Sequence, residues 1–198
     1  WSRLIVDSLT PLPGLPPEAE GDTKDELRLI DIGTGAGLPG IPLSVTRPDI
    51  AVTLVEATGK KIAFLRSVVD QLGLDNVTLY QERIENVGQD RGDFRGPGRG
   101  RYDVAVSRAV GPLPVVLEYS LPMLKVGGKV LAMKGPKAEA ELRNSGDALT
   151  KLGGGEVAVI EAYPASFGNE LVIVSVIKES ATPRDYPRLP GLPKKMPL

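Results

Sequence analysis

From Leu29 to Gly40 the chain reads Leu-Ile-Asp-Ile-Gly-Thr-Gly-Ala-Gly-Leu-Pro-Gly. A short apolar run closes around an acid, glycines follow at 33, 35 and 37, and a helix start comes next. The glycines allow a tight turn and let backbone N–H groups approach a ligand that any Cβ would hold off. A strand, a tight turn and a helix in that order open a sheet with crossover helices. Asp31 falls where the strand gives out, at the carboxyl edge where open α/β sheets bind ligands.

Two ligand classes use such a turn. A carboxylate followed by Gly-x-Gly-x-Gly suits S-adenosylmethionine. The dinucleotide pattern Gly-x-Gly-x-x-Gly fails when counted from Gly33, because Leu38 stands in the third place, but it is met by Gly35, Gly37 and Gly40. The glycines alone leave both open, so the flanks must be weighed. Apolar runs at Leu27–Ile32, Ala51–Glu56, Val77–Tyr80, Tyr102–Val106 and Lys129–Met133 read as strands. Helical patterns lie between them over Pro39–Val45, Lys60–Leu72 and Val115–Leu124, and a further helix is expected over Ala138–Leu152. Val157–Ala162 and Leu171–Ile177 close the chain as two strands without a helix between them. Alternating strands and helices mean parallel crossovers. The expectation is an α/β fold with a seven-stranded, mostly parallel sheet ending in a C-terminal antiparallel hairpin. A nicotinamide half-domain would more often be followed by a substrate domain, and none is visible.

Composition removes several chemistries. The 198 residues are 41% hydrophobic, which suits one domain with a real core. There is no cysteine, so thiol catalysis, disulfides and zinc–thiolate sites are out. There is no histidine, which removes the common general base and metal ligand, and no metal is expected. No apolar run approaches the ~20 residues of a membrane span. The formal net charge is −1, so any footprint for nucleic acid must be local. The expected division is a short N-terminal piece and connector at 1–26, the main domain at 27–181, and a proline-rich basic tail at 182–198, packed on the domain or extending from it. With prolines at 183, 187, 190, 193 and 197, the tail is expected to form neither helix nor inner strand.

Glu56 closes the second strand at the distance from the glycine turn where an acid accepts both hydroxyls of an adenosine ribose; the plainer alternative is an N-cap or solvated acid before the Thr58-Gly59 turn. Asp31 is expected to face the cationic amino end of a methionine moiety. Glu82-Arg83-Ile84-Glu85 follows the third strand and could flank an adenine or begin a surface helix, where glutamates are favoured. Arg108 follows the fourth strand at the substrate edge, although a lone arginine there is as often a salt bridge.

Taken together, LIDIGTGAGLPGIPL (29–43), VTLVEATGKKIAFL (52–65), LGLDNVTL (72–79), Ser107-Arg108-Ala109, Met133-Lys134-Gly135 and YPRLPGLPKKMPL (186–198) resemble one family over nearly the whole chain. These are the bacterial 16S rRNA guanine-N7 methyltransferases, historically the glucose-inhibited division protein B family. The resemblance implies a class I S-adenosylmethionine-dependent methyltransferase fold of Rossmann-like type. It also implies cofactor positions at Gly33, Leu38, Ile84, Glu85 and Arg108, with Glu56 as the ribose acid and Asp31, Gly35 and Gly37 in the same loop. Arg108 would help position the reactants. The helical N-terminal region of such proteins is represented here by Trp1–Leu9, and the loop Gly88–Arg101 is long and rich in glycine and arginine.

The implied reaction transfers a methyl group from S-adenosylmethionine to N7 of a guanosine in 16S rRNA, in the cytoplasm or its organellar equivalent, with a monomeric enzyme acting on the rRNA or the small ribosomal subunit. Guanine N7 carries a free in-plane lone pair, so no general base is required and the missing histidine costs nothing. Candidate phosphate contacts are Arg91, Arg95, Arg99 and Arg101 in the loop, Lys134 and Lys137, and Arg184, Arg188, Lys194 and Lys195 in the tail. Competing readings are a methyltransferase acting on another RNA or a small molecule, a nicotinamide-dependent oxidoreductase, and a non-catalytic RNA-binding protein.

Overall fold

The structure is a computed structural model that describes residues 2–18, 26–89, 98–163 and 171–198. Seven strands form one sheet: β1 (Arg28–Ile32), β2 (Ala51–Glu56), β3 (Val77–Gln81), β4 (Tyr102–Arg108), β5 (Leu124–Lys134), β6 (Gly154–Glu161) and β7 (Val172–Lys178). Their order is β3-β2-β1-β4-β5-β7-β6. The first five run parallel, β7 is antiparallel to β5, and β6 is antiparallel to β7. The strand order reverses between β1 and β4, the switch point where an open sheet leaves a crevice at its carboxyl edge.

Both faces of the sheet are covered, so its central strands are apolar on both sides rather than alternating with polar residues. Leu29, Val52, Leu54, Val104 and Val106 pack beneath α2 (Gly40–Thr46) and α3 (Gly59–Leu72). Ile30, Ile32, Val55 and Ala105 pack on the opposite face against α5 (Leu113–Ser120) and its surroundings. This period-two assignment of faces carries Asp31 and Arg108 to the α2 side of the sheet, whereas Glu56, the last residue of β2, lies at the open edge.

Local chemistry sets the helix ends. α3 stops at Gly73, a left-handed C-cap with φ 62°. α5 gives way to a 3₁₀ turn at Leu121–Met123, where Pro122 cannot supply the next N–H. The single helix expected over Ala138–Leu152 is two, α6 (Ala138–Arg143) and α7 (Gly146–Leu152). The break falls at Asn144-Ser145; the buried Ser145 hydroxyl donates to the Glu141 carbonyl at 2.7 Å, a bond that competes with helix continuation.

At the N-terminus, α1 (Ser2–Leu9) packs on α2. The tail packs on the domain, supported by α4 (Ile84–Gly88) and α5, and departs from expectation in containing a single helical turn, α8 (Leu192–Lys195). Pro193 is tolerated because it lies in the first turn, where its N–H would have no intrahelical partner.

Candidate functional site

At the carboxyl ends of β1, β2 and β4 lies a cleft of about 270 Å³. Ile32, Gly33, Val55 and Glu56 form one side, Ile84 and Glu85 face them, and Ala109, Val110 and Tyr119 complete the wall. Glu56 terminates β2 with its side chain almost wholly enclosed. Its Oε1 accepts the Thr58 N–H at 2.9 Å, and Oε2 accepts the Gly35 N–H at 3.2 Å and the Lys61 ammonium at 3.3 Å. Burial would raise its pKa, but the bonds from Thr58 and Lys61 outweigh burial and hold the carboxyl below its ordinary value. Glu56 is therefore an anion at neutral pH, turned towards the glycine loop.

The three glycines of the loop do different work. Gly33 borders the cleft at φ 66°. Gly35, at φ 62°, gives its N–H to Glu56. Gly37 packs inward: a Cβ there would lie 2.6 Å from Ile41 Cγ1 and 2.9 Å from Leu65 Cδ2. Leu38 does not reach the cleft with its side chain, which joins Ile5, Ile41, Phe64 and Leu72 in an apolar groove between α1, α2 and α3.

Asp31 does not face the cleft either. It shares the sheet face of Leu29, so its carboxylate enters the interior beneath α2. There Oδ2 accepts the Thr34 hydroxyl at 2.6 Å and the Gly40 N–H at 2.8 Å, tying the two ends of the glycine loop together. Its Oδ1 is buried without a partner among the described residues. Burial pushes the carboxyl up to about 6, against the lowering effect of the bonds from Thr34 and Gly40. The folded state thus holds this proton more tightly than the unfolded chain, and the resulting stabilisation is present at low pH and lost as pH rises through about 6. Glu56 and Glu85 shift the other way, and their stabilisation is lost only at more acidic pH. Between pH 7.5 and pH 5 the Asp31 contribution should therefore raise stability by about 1 kcal/mol. Urea unfolding of the wild type and Asp31→Asn at both pH values checks this; identical pH dependence in the two proteins would refute it.

Arg108 is likewise turned away. It lies on the sheet face of Val104 and Val106, which brings its guanidinium under α1. One nitrogen donates to the Leu4 carbonyl at 3.0 Å and the Ser8 hydroxyl at 3.3 Å, and the other pairs with Asp7 at 3.6 Å. Tyr163 donates to the same Asp7 at 2.7 Å. In this arrangement Arg108 fastens the N-terminal helix and does not contribute to the cleft.

Ile84 and Glu85 do line the cleft, where the third strand hands over to α4. The Glu85 side chain is enclosed, and its Oε1 accepts from Arg83 (2.8 Å), Tyr119 (3.1 Å) and the Gly191 N–H (2.9 Å). Burial opposes its ionisation, but the Arg83 and Gly191 bonds prevail and keep its pKa low. Desolvation and the Glu85 charge push the Tyr119 phenol far above its ordinary value, so it stays protonated.

Several expected phosphate contacts are committed elsewhere. Lys134 is buried, donating to the Gly111 carbonyl at 2.6 Å and to Glu141 at 2.8 Å. Arg188 forks onto the enclosed Glu118 carboxylate, with bonds of 2.9 Å from Nε and 2.6 Å from a terminal nitrogen. Arg99 donates to the carbonyls of Gly88, Thr182, Pro183 and Tyr186, clasping the tail. These cations hold protein to protein. Lys137, Arg184 and Lys195 are exposed, Arg101 is half-buried, and Lys194 is exposed at the rim of the cleft. Arg91 and Arg95 lie outside the described residues. Tail residues as builders of the cleft were not foreseen; no local pattern links Gly191 to Glu85.

A family model described as rRNA small subunit methyltransferase G matches residues 1–165. The chain belongs to the rRNA small subunit methyltransferase G family. The ribosomal RNA small subunit methyltransferase G of Pelotomaculum thermopropionicum is 44% identical over 194 residues, covering 98% of this chain and 77% of that protein. The protein of the same name from Lactobacillus delbrueckii subsp. bulgaricus is 43% identical over 201 residues, covering 100% and 79%. Among solved structures, a Methanococcus maripaludis protein described as a putative S-adenosyl-L-methionine-dependent methyltransferase superposes with a TM-score of 0.62 at 14% identity, over 89% of this chain and 86% of that one. The Thermus thermophilus 16S rRNA N2 G1207 methyltransferase, in complex with AdoMet and guanosine, superposes at 0.57 with 15% identity, over 90% of this chain and 40% of that one. Those likenesses establish the methyltransferase fold. Among the described residues no helix is long and apolar enough to cross a membrane, and no cluster of acidic side chains could hold a metal ion.

Proposed function

We propose that this chain transfers the methyl group of S-adenosylmethionine to N7 of a guanosine in 16S rRNA, and that it does so in the cytoplasm, where that substrate is made. Family membership supports the rRNA methyltransferase part of this reading. The observation that carries the choice of N7 is the protonation of the cleft. Its buried carboxylates, Glu56 and Glu85, are held low, and its phenol, Tyr119, is held high. Neither kind of group is suited to accepting a proton near neutrality. Guanine N7 has none to give.

The residues fit the cofactor. A carboxylate at the end of β2 offers acceptors to a ribose, Ile32, Val55 and Ile84 offer apolar walls to an adenine, and Gly33 presents backbone where a side chain would crowd the ligand. When bound, S-adenosylmethionine supplies an electrophilic methyl on a sulfonium. The protein's part is orientation, which can contribute ~7–11 kcal/mol when reacting atoms are held in line. Gly33 and Glu56 fix the nucleoside end, and Ala109 and Val110 border the side open to an incoming base. Asp31 acts from below by keeping the loop closed.

Incubation with labelled S-adenosylmethionine and either small ribosomal subunits or naked 16S rRNA, followed by nucleoside analysis, should yield 7-methylguanosine. The single-turnover rate with saturating RNA should be nearly flat from about pH 6.5 to 8.5, because no group must lose a proton for the chemistry. A methylated exocyclic amine, or a unit-slope rise in rate across that range, would replace N7 by a target that needs a base.

A further inference from the structure

Among the described residues, three cations border the cleft, and two are committed. Lys61 pairs with Glu56 at 3.3 Å and Arg83 with Glu85 at 2.8 Å. The third is Lys194. Among the described residues its ammonium has no hydrogen-bond or ion-pair partner. It does not hang there on a loose end. Gly191, at the start of the same helical turn, gives its N–H to the enclosed Glu85 carboxylate. Arg188 is forked onto the enclosed Glu118, and its backbone N–H also donates to Glu118 at 2.8 Å. Pro187 sits so closely on α4 that a Cβ on Gly88 would lie 2.6 Å from its ring. Buried carboxylates leave little freedom to whatever satisfies them, because an unpaired buried charge is costly.

We propose that Lys194 is a cofactor-binding residue, donated to the cleft by the C-terminal tail, and that its ammonium donates to an acceptor on the adenosine half of the cofactor. This rests on the S-adenosylmethionine reading above. The assignment to the adenosine half follows from the neighbours: Glu56 marks the ribose position, Ile84 and Glu85 the wall beyond it, and Lys194 is three residues from the backbone bond to Glu85. An ammonium has three donors and no acceptor. It therefore suits the ring nitrogens and ribose oxygens of adenosine, whereas a sulfonium beside it would be repelled.

The test measures binding of S-adenosylhomocysteine and of 5′-methylthioadenosine, which lacks the amino-acid group, by calorimetry with the full chain. Lys194→Met keeps the apolar stem and removes the charge. It should weaken both ligands by about tenfold, the worth of one partly exposed charge-assisted hydrogen bond. Lys194→Arg should recover affinity to within about threefold of wild type, and Lys151→Met, on the remote α7, should change nothing. The thermal midpoint of Lys194→Met should match wild type, since the ammonium holds no other part of the protein. Unchanged affinity for both ligands in Lys194→Met overturns the proposal, as does a loss confined to S-adenosylhomocysteine. Failure of the wild type to bind either ligand would instead overturn the cofactor reading itself.

Discussion

Gly40→Ala is expected to destabilise the fold by about 3 kcal/mol or more, the largest effect of any single methyl in the glycine loop. Gly40 opens α2 directly over the sheet. A Cβ there would lie 2.2 Å from Leu54 Cδ2 and 2.8 Å from Asp31 Oδ2. Leu54 is fully buried in the middle of β2 and cannot swing away without disturbing the layer beneath α2 and α3. Asp31 cannot retreat without losing the Gly40 N–H, leaving a buried carboxylate short of a donor that partly offsets its desolvation. Overpacking and lost hydrogen bonding thus act together. Urea unfolding measures the result, and a midpoint shift worth less than about 1 kcal/mol would show that α2 can lift at small cost. Gly35→Ala is the useful contrast. Its Cβ would meet nothing closer than the Gly33 carbonyl at 3.9 Å, so the penalty there is confined to a left-handed φ of 62°.

Glu56→Ala should leave the fold intact and weaken S-adenosylmethionine binding ten- to a hundredfold, the equivalent of about 1.5–3 kcal/mol for charge-assisted hydrogen bonds. Two losses combine. The ribose hydroxyls lose their acceptor, and the loop loses the carboxylate that holds the Gly35 and Thr58 N–H groups and the Lys61 ammonium in place. Because Lys61 is half-exposed, the freed ammonium can be hydrated and adds little to the penalty. Glu56→Gln keeps an acceptor without the charge and should fall between the two. Equal calorimetric affinity in wild type and Glu56→Ala would remove the residue from the cofactor site.

The strands were legible because each is a short apolar run bounded by turns or helical patterns, and the parallel course of the first five followed from the helices between them. Position along a strand was legible too, and it brought Asp31, Glu56 and Arg108 to the carboxyl edge. What that reading lacked was the face. Leu29 and Asp31 share one side of β1, and Val104, Val106 and Arg108 share one side of β4, so alternation sends both charged groups towards α2 and α1 instead of the cleft. The period was in the sequence, but nothing local said which side the helices would occupy. The tail was opaque for a different reason. Its arginines and lysines carry the composition of a phosphate-binding segment, and the acids that claim Arg188 and the Gly191 N–H stand 70 and 106 residues earlier. Long-range pairing of this kind leaves no periodic trace. The prolines were read as excluding any helix there, but Pro193 in a first turn did not exclude a short one.

The tail's position also has a consequence for the order in which this protein becomes functional. A chain emerging from the ribosome presents β1 through β7 before residues 188–195, so the glycine loop, Glu56 and Glu85 can be assembled while Lys194 and the groups that pair with the buried acids are still being synthesised. Until residues 188–191 arrive, Glu118 lacks the Arg188 fork and Glu85 lacks the Gly191 N–H. Removing one member of a buried charge pair costs roughly 3–5 kcal/mol, a large share of the stability of a domain this size. A copy lacking residues 188–195 would lose both buried pairings together with the Lys194 side chain at the cleft rim. Stability and the cleft border are thereby tied to the same short stretch, so that copies lacking residues 188–195 are the ones most exposed to proteolysis.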